Sequence, residues 1–247
     1  MKDKVIVITG ASAGIGAALA ERLGAEGARL VLVGRREDAL HDVAARSGVD
    51  ALPVVADVTM REDVRRVVDA AIERFGGIDV WVNNAGQGIT RQPSELTDED
   101  VDLMMRVNVK SVLYGMQETL AHFKARGAGH VINISSELGR VPYATHRSAY
   151  SAAKHFMNAL TAMFRDEVRQ THPGIEYSIV SPGIVKTEFG VRAQHGGPDS
   201  RQFPMAQTAE EAAAVIADVI RSRRRDAYTR ADAHERVVAY YATLLDS

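Results

Sequence analysis

"VIVITGASAGIGAALAERL", residues 5–23, decides the fold. Val5 to Thr9 is apolar or β-branched without polar alternation, the mark of a strand buried on both faces. Glycines at 10, 14 and 16 follow, and then apolar residues at helical spacing through Leu23. A strand, a glycine turn and a helix in that order set free backbone N–H groups and the positive end of a helix dipole at the strand's carboxyl end. Gly10, Gly14 and Gly16 let the backbone turn tightly and come close to a ligand, which suits a dinucleotide pyrophosphate. The spacing is G-x-x-x-G-x-G rather than the more familiar G-x-G-x-x-G. The alternative is that the three glycines serve only the packing of helix on strand.

The same grammar repeats outward from this stretch. Apolar runs at 29–33, 51–56, 78–82, 130–135 and 175–181 read as further strands, and the segments between them have helical spacing. Repeated strand–helix–strand units predict an α/β fold, a doubly wound parallel sheet of about seven strands with helices on both faces. Long helices are expected at about 98–125 and 148–170, and a short strand and an amphipathic helix at the end. Thr59 with Glu62 and Thr208 with Glu211 have capping-box spacing, and Thr97 with Asp100 is a weaker version. Gly27 is expected to end the first helix. Residues 184–206 lack periodicity, and a loop of that length predicts a lid over a site.

Bulk properties narrow the function. The chain has 247 residues, 46% of them hydrophobic, enough for a large core. A net charge of −2 gives no pull towards nucleic acid or membrane surfaces. The basic run "RSRRR", 221–225, reads as cations at a helix C-terminus. With no cysteine, disulfides and thiolate catalysis are excluded. The eight histidines show no ligand spacing, so no metal is expected. The apolar run near the N-terminus is too short for a signal peptide or a membrane span. The expectation is a cytoplasmic protein with no membrane and no nucleic-acid partner.

The strand ends carry the site. A carboxylate at the end of the second strand favours NAD, whereas an arginine there favours the 2′-phosphate of NADP. Here Gly34 stands in the carboxylate's place, followed by Arg35 and Arg36. Guanidinium binds phosphate bidentately, so NADP(H) is favoured over NAD(H). The alternative is that both arginines are solvated loop charges. Asp57, after the third strand, either meets the adenine amino group or is a turn residue before Thr59. "NNAG", 83–86, lies where an open α/β sheet holds its ligand. In "SAYSAAKHFM", 148–157, Tyr150 and Lys154 are four apart and share a helix face among small residues. A neighbouring cation lowers a phenol's pKa from about 10 towards the range of a general acid or base.

Taken together, "TGASAGIG", "DVT", "NNAG", the Asn108 of "VNV", "NISS", "YSAAK" and "SPGIVKT" resemble the short-chain dehydrogenase/reductase family in order and spacing, over about residues 4–187. The resemblance implies a single Rossmann domain over 1–247 that binds a nicotinamide dinucleotide and moves hydride between it and a carbonyl or alcohol. It implies a catalytic tetrad of Asn108, Ser136, Tyr150 and Lys154. It assigns cofactor contacts to Gly10, Ser12, Gly14, Ile15 and Gly16, to Arg35, Arg36, Asp57 and Val58, and to Asn84, Ala85 and Gly86. Tyr150, Lys154, Pro182, Gly183, Val185 and Thr187 complete that set. It also implies a homo-oligomer, dimer or tetramer, through the two long helices. In this scheme Tyr150 exchanges a proton with the substrate oxygen, Ser136 stabilises its developing charge, Lys154 holds the nicotinamide ribose, and Asn108 keeps the helix geometry that admits a relay water. Enoyl reduction or epimerisation by the same tetrad, and a non-catalytic NADP(H) sensor, are the alternatives. The substrate walls are expected at 87–95, 137–147 and 184–206, including Gln87, Arg140, Tyr143, His146 and Phe189, with His195 nearby.

Overall fold

The computed structural model describes residues 1–48 and 50–245. The first strand, β1 (Val5–Thr9), is buried along its whole length. The helix α1 (Gly14–Ala25) carries the chain over to β2 (Arg29–Gly34), and α2 (Glu37–Ser47) carries it to β3 (Ala51–Val55). The chain then crosses back through α3 (Arg61–Phe75) to β4 (Val80–Asn83), which pairs with the other edge of β1. Beyond it come β5 (Gly129–Ile134), β6 (Ile175–Ser181) and β7 (Asp226–Tyr228). The result is a seven-stranded sheet in the order β3-β2-β1-β4-β5-β6-β7, with every pairing parallel. It is the doubly wound Rossmann arrangement expected from the strand pattern, with strand ends displaced by one or two residues.

Two apolar layers hold the helices to the sheet. Ile6, Ile8, Leu30 and Leu32 face one side and pack with Leu19 and Leu23 of α1 and Ile216 of α7 (Ala209–Ser222). Val7, Val31 and Trp81 face the other and pack with Val67 of α3, Met116 of α5 (Ser111–Arg126) and Met157 of α6 (Ser148–Arg169). Alternation within one strand thus feeds both cores. β3 departs from the expectation of two buried faces. It is the edge strand, Val55 is exposed, and Pro53 is tolerated there because an edge position can forgo a backbone donor.

A buried polar chain crosses the middle of the sheet. The Trp81 indole donates to Asn83 Oδ1 at 2.7 Å, Asn83 Nδ2 donates to Asn133 Oδ1 at 2.8 Å, and Asn133 Nδ2 donates to Thr161 Oγ1 at 2.9 Å. Each link has a partner, and removing one would strand a buried polar group at a cost of about 1–3 kcal/mol.

Helix boundaries mostly follow the capping signals. Thr97 and Asp100 form a full capping box at α4 (Asp98–Met105), and Thr208 with Glu211 forms another at α7. Thr59 does not cap α3. Its backbone N and hydroxyl both bond Asp57 Oδ1, at 3.0 and 2.8 Å, and the helix begins only at Arg61. Gly27 closes the turn after α1 with a φ of 80°. The expected long helix at 98–125 is interrupted by a π-helical turn, Arg106–Lys110. Asn108 lies in that turn, and its side chain bonds Gln87 on the neighbouring loop instead of solvent. Arg223 of the basic run caps the carbonyls of Gly129 and Gly174, at 3.0 and 2.8 Å, while Arg221 pairs with Glu26. The C-terminal α8 (Ala233–Leu245) lies beyond β7. Among the described residues no helix is long and apolar enough to cross a membrane.

His130 on β5 is buried, shares a hydrogen bond of 2.8 Å with Ser178, and is pushed by burial down to about 3. The folded state therefore keeps it neutral while the unfolded chain takes up a proton below about 6.5. Stability contributed at neutral pH is lost as pH falls from about 6.5 towards 3, by about 1.4 kcal/mol per pH unit. Urea titrations of wild type and His130→Gln at pH 7 and pH 5 are expected to show a smaller acid loss in the variant.

Candidate active site

The glycine turn forms one wall of a cavity of about 930 Å³ at the carboxyl ends of the strands. Gly10 and Gly14 take left-handed conformations, with φ of 65° and 56°. A Cβ on Gly10 would lie 2.8 Å from the Ala85 Cα, and one on Gly16 would collide with the Gly10 carbonyl. Asn84 spends its amide on this turn, donating to Thr9 O at 2.9 Å and Gly10 O at 3.2 Å. The α1 N-terminus has no side-chain cap and no acidic residue in its first turn, unlike α4 and α7. Its N–H groups are thus left for an anion, and the cradle fits a dinucleotide pyrophosphate.

Every residue expected to contact the cofactor lies on the cavity wall except Gly16, which packs behind the turn. At the far end of that wall Arg36 donates to Ser12 O and Oγ, at 3.2 and 3.0 Å. Arg35 is exposed, and among the described residues no carboxylate lies within ion-pair distance of it. Asp57 lines the cavity and also closes a turn through Thr59, so its carboxylate serves the local backbone.

Ser136, Tyr150 and Lys154 line the same cavity. Ser136 follows β5, and its Oγ accepts from Leu138 N at 3.1 Å. Lys154 is 3% exposed, with Nζ donating to Ile134 O at 2.8 Å and lying 5.7 Å from the Tyr150 ring centre. Burial without a carboxylate partner pushes its ammonium down to about 8. The expectation that a cation lowers the phenol's pKa needs correction in one respect. Burial dominates and pushes Tyr150 up to about 12, while the Ser136 hydroxyl and then the Arg147 charge oppose it. The phenol therefore rests protonated. Asn108 is fully buried and stands behind the wall. Its amide donates to Gln87 O at 2.9 Å and accepts from Gln87 N at 3.2 Å, fixing the loop after β4.

The substrate end of the cavity is only partly as expected. Gln87, Tyr143, His146 and Phe189 line it. Arg140 does not, because it pairs with Asp226 and its carbonyl accepts from Tyr241. His195 sits outside, bonded to Asp100 at 2.8 Å, and Asp100 is held down to about 2 by Arg91 and His195. Glu137 and Arg147 lie within the expected wall at 137–147 without having been singled out, whereas Arg230 and Arg236 lie outside all three expected walls and were missed. Arg147 had a usable signal, since it precedes Tyr150 by three positions. Arg230 and Arg236 had none, because α8 reaches the site only through tertiary packing. Arg236 pairs with Glu137 at 2.7 Å, and the Tyr143 hydroxyl donates to Arg236 O at 2.8 Å. A separate depression of about 410 Å³ beside Glu21, Arg22 and Glu210 holds none of the expected residues.

Comparison with known proteins agrees with this geometry. Residues 4–196 match the family described as short chain dehydrogenase. An uncharacterised oxidoreductase of Staphylococcus epidermidis is 38% identical over 198 residues, covering 78% of this chain and 85% of its own. A short-chain dehydrogenase/reductase from Burkholderia phymatum, solved with NAD, superposes with a TM-score of 0.87 at 26% identity, covering 96% of this chain and 92% of its own. An alcohol dehydrogenase from Thermococcus sibiricus, solved with 5-hydroxy-NADP, gives 0.78 at 29% identity, covering 92% and 95%. With its parallel sheet, its glycine cradle and its buried tyrosine–lysine pair, the chain belongs to the short-chain dehydrogenase/reductase family, as an oxidoreductase that uses a nicotinamide dinucleotide.

Proposed function

We propose that the protein is an NADP(H)-dependent carbonyl reductase or alcohol dehydrogenase in which Tyr150 is the general acid and base. The observation that carries this reading is that Ser136 and the buried pair Tyr150 and Lys154 line the same cavity as the glycine cradle. When bound, the nicotinamide supplies hydride to the carbonyl carbon or takes it from the alcohol. In reduction, Tyr150 gives its proton to the substrate oxygen, and its resting protonated state suits that role. Ser136 donates a hydrogen bond to the same oxygen as negative charge develops there. Lys154 keeps a positive charge beside the tyrosinate that remains and holds the cofactor ribose. Asn108 acts through Gln87 and the π-helical turn, keeping the loop after β4 in place.

The glycine turn, Ser12 and Ile15 hold the pyrophosphate side, Asp57 and Val58 the adenine side, and Asn84 to Gly86 the middle of the cofactor. Pro182, Gly183, Val185 and Thr187 border the nicotinamide. Preference for NADP(H) is supported by Gly34 in place of a carboxylate and by the unpaired guanidinium of Arg35. The 1–247 chain acts as one domain, and 184–206 serves as a lid. The Phe189 ring of that segment lies tilted against the Tyr150 ring with centres 5.5 Å apart, and Gln194 bonds the backbone of Gly88 and Thr90. A homo-oligomer is supported by Phe156 and Met163, exposed apolar residues seven apart on one face of α6.

Replacing Tyr150→Phe is expected to lower kcat by about 10²–10⁴-fold or more while NADPH still binds, as read by nucleotide fluorescence. Retained turnover would remove the tyrosine from this role. Arg35→Ala is expected to raise the KM for NADPH by about tenfold and to leave that for NADH nearly unchanged, in parallel steady-state assays.

A further inference from the structure

The charged residues at the substrate end of the cavity are nearly all paired. Arg192 meets Glu188 at 2.5 Å, Arg236 meets Glu137 at 2.7 Å, and Arg230 meets Asp232 at 3.3 Å. Arg147 is the exception. It lines the cavity, is half-buried, and has no carboxylate within ion-pair distance among the described residues. Its Nη1 donates to Ile89 O at 3.1 Å, and no other hydrogen bond from the guanidinium is made among those residues. Most of its five donors are therefore free for a ligand. A half-buried guanidinium with that capacity is costly unless an acceptor arrives.

Its position is tied to the chemistry. Arg147 is the residue before α6 and Tyr150 is the third residue within it, so the two stand within one turn of chain at the start of that helix. A Cβ on Gly88 would lie 3.0 Å from Arg147 Nη1 and 2.9 Å from the Phe189 ring, and that ring packs tilted against Tyr150. Arginine, phenylalanine and tyrosine thus surround one small volume beside Gly88. The Arg147 charge is felt at the Tyr150 hydroxyl, which it draws back from the effect of burial.

The geometry points to Arg147 as a specificity residue that binds a carboxylate on the substrate, making that substrate an oxo acid, or the corresponding hydroxy acid. Planar guanidinium matches a carboxylate in a bidentate pair. Val107, Leu138 and Phe189 give the rest of this end an apolar surface that fits a short alkyl group. The inference rests on the reading of Tyr150 as proton donor. In reduction the carbonyl carbon gains hydride from the reduced nicotinamide, the oxygen gains the Tyr150 proton, the cofactor leaves oxidised, and the carboxylate stays unchanged.

The test compares acids with their own neutral esters: acetoacetate against ethyl acetoacetate, and 2-oxobutanoate against ethyl 2-oxobutanoate, with NADPH and with NADH. Wild type is expected to prefer at least one acid over its ester in kcat/KM. Arg147→Gln is expected to lower the acid-to-ester ratio about 100-fold, and Arg147→Lys by less, because lysine keeps the charge and loses the fork. The ratio cancels any loss of folded protein and any general effect on Tyr150, which a purely structural tether of the loop at 88–91 would change equally for both substrates. A wild-type preference for the esters, or a ratio unmoved in Arg147→Gln, overturns the carboxylate site while leaving the reductase reading intact. Absence of turnover across acids, esters and a wider set of neutral aldehydes and ketones, with NADPH binding retained, overturns the reductase reading and this inference with it.

Discussion

The seam between β1 and β4 is the constraint on which the site depends. β1 pairs with β2 on one edge and β4 on the other, so successive connections leave in opposite directions and open a crevice at the strand ends. The seam is locked by side chains as well as by its ladder. Thr9 Oγ1 accepts from the backbone of Asn84 and Ala85, at 3.0 and 3.1 Å, while Asn84 returns its amide to Thr9 and Gly10. The backbones approach so closely that no side chain fits at Gly10 or Gly16. A helix N-terminus without a cap is thereby held at the mouth of the crevice.

The wall that carries Tyr150 and Lys154 is built on a different economy of charge. Lys154 is a buried cation that meets a backbone carbonyl rather than a carboxylate, and Tyr150 is a buried phenol that faces hydroxyl and guanidinium. Desolvation pushes the two groups in opposite senses, the ammonium down and the phenol up, which brings the lysine nearer to neutral pH and leaves the tyrosine charged with its proton. The cavity beyond them is closed by α8 and by the segment after β6. Glu137 joins these parts. It follows Ser136 directly, it pairs with Arg236 of α8, and burial raises its carboxyl above the usual range.

Much of this was legible along the chain because the interactions concerned are local. A strand that feeds a glycine turn and a helix is written in consecutive residues, and so are the capping boxes at Thr97 and Thr208 and the one-turn spacing of Tyr150 and Lys154. Errors arose where a local signal met a competing interaction. Thr59 had the spacing of a cap, but its backbone N–H and hydroxyl close a turn on Asp57 and the helix begins only at Arg61. The run at 98–125 had helical periodicity throughout, but one turn of it is π-helical, and Asn108 in that turn bonds Gln87 of another loop. Pro53 and Val55 occupy an apolar run, and only the strand order made that run an edge.

By itself, then, the sequence determined the parallel α/β architecture, the glycine cradle, and the tyrosine–lysine pair, because hydrophobic period, backbone freedom and helical spacing act over a few residues. Tertiary structure alone decided the charge environment of that pair and the identity of the substrate wall. Desolvation depends on what packs over a group, and it set the Tyr150 and Lys154 proton affinities against the simpler expectation from charge. Whether an arginine is paired depends on which carboxylates the fold brings near. That is why Arg236 is neutralised by a residue 99 positions away, whereas Arg147 is left facing the cavity without an acid among the described residues.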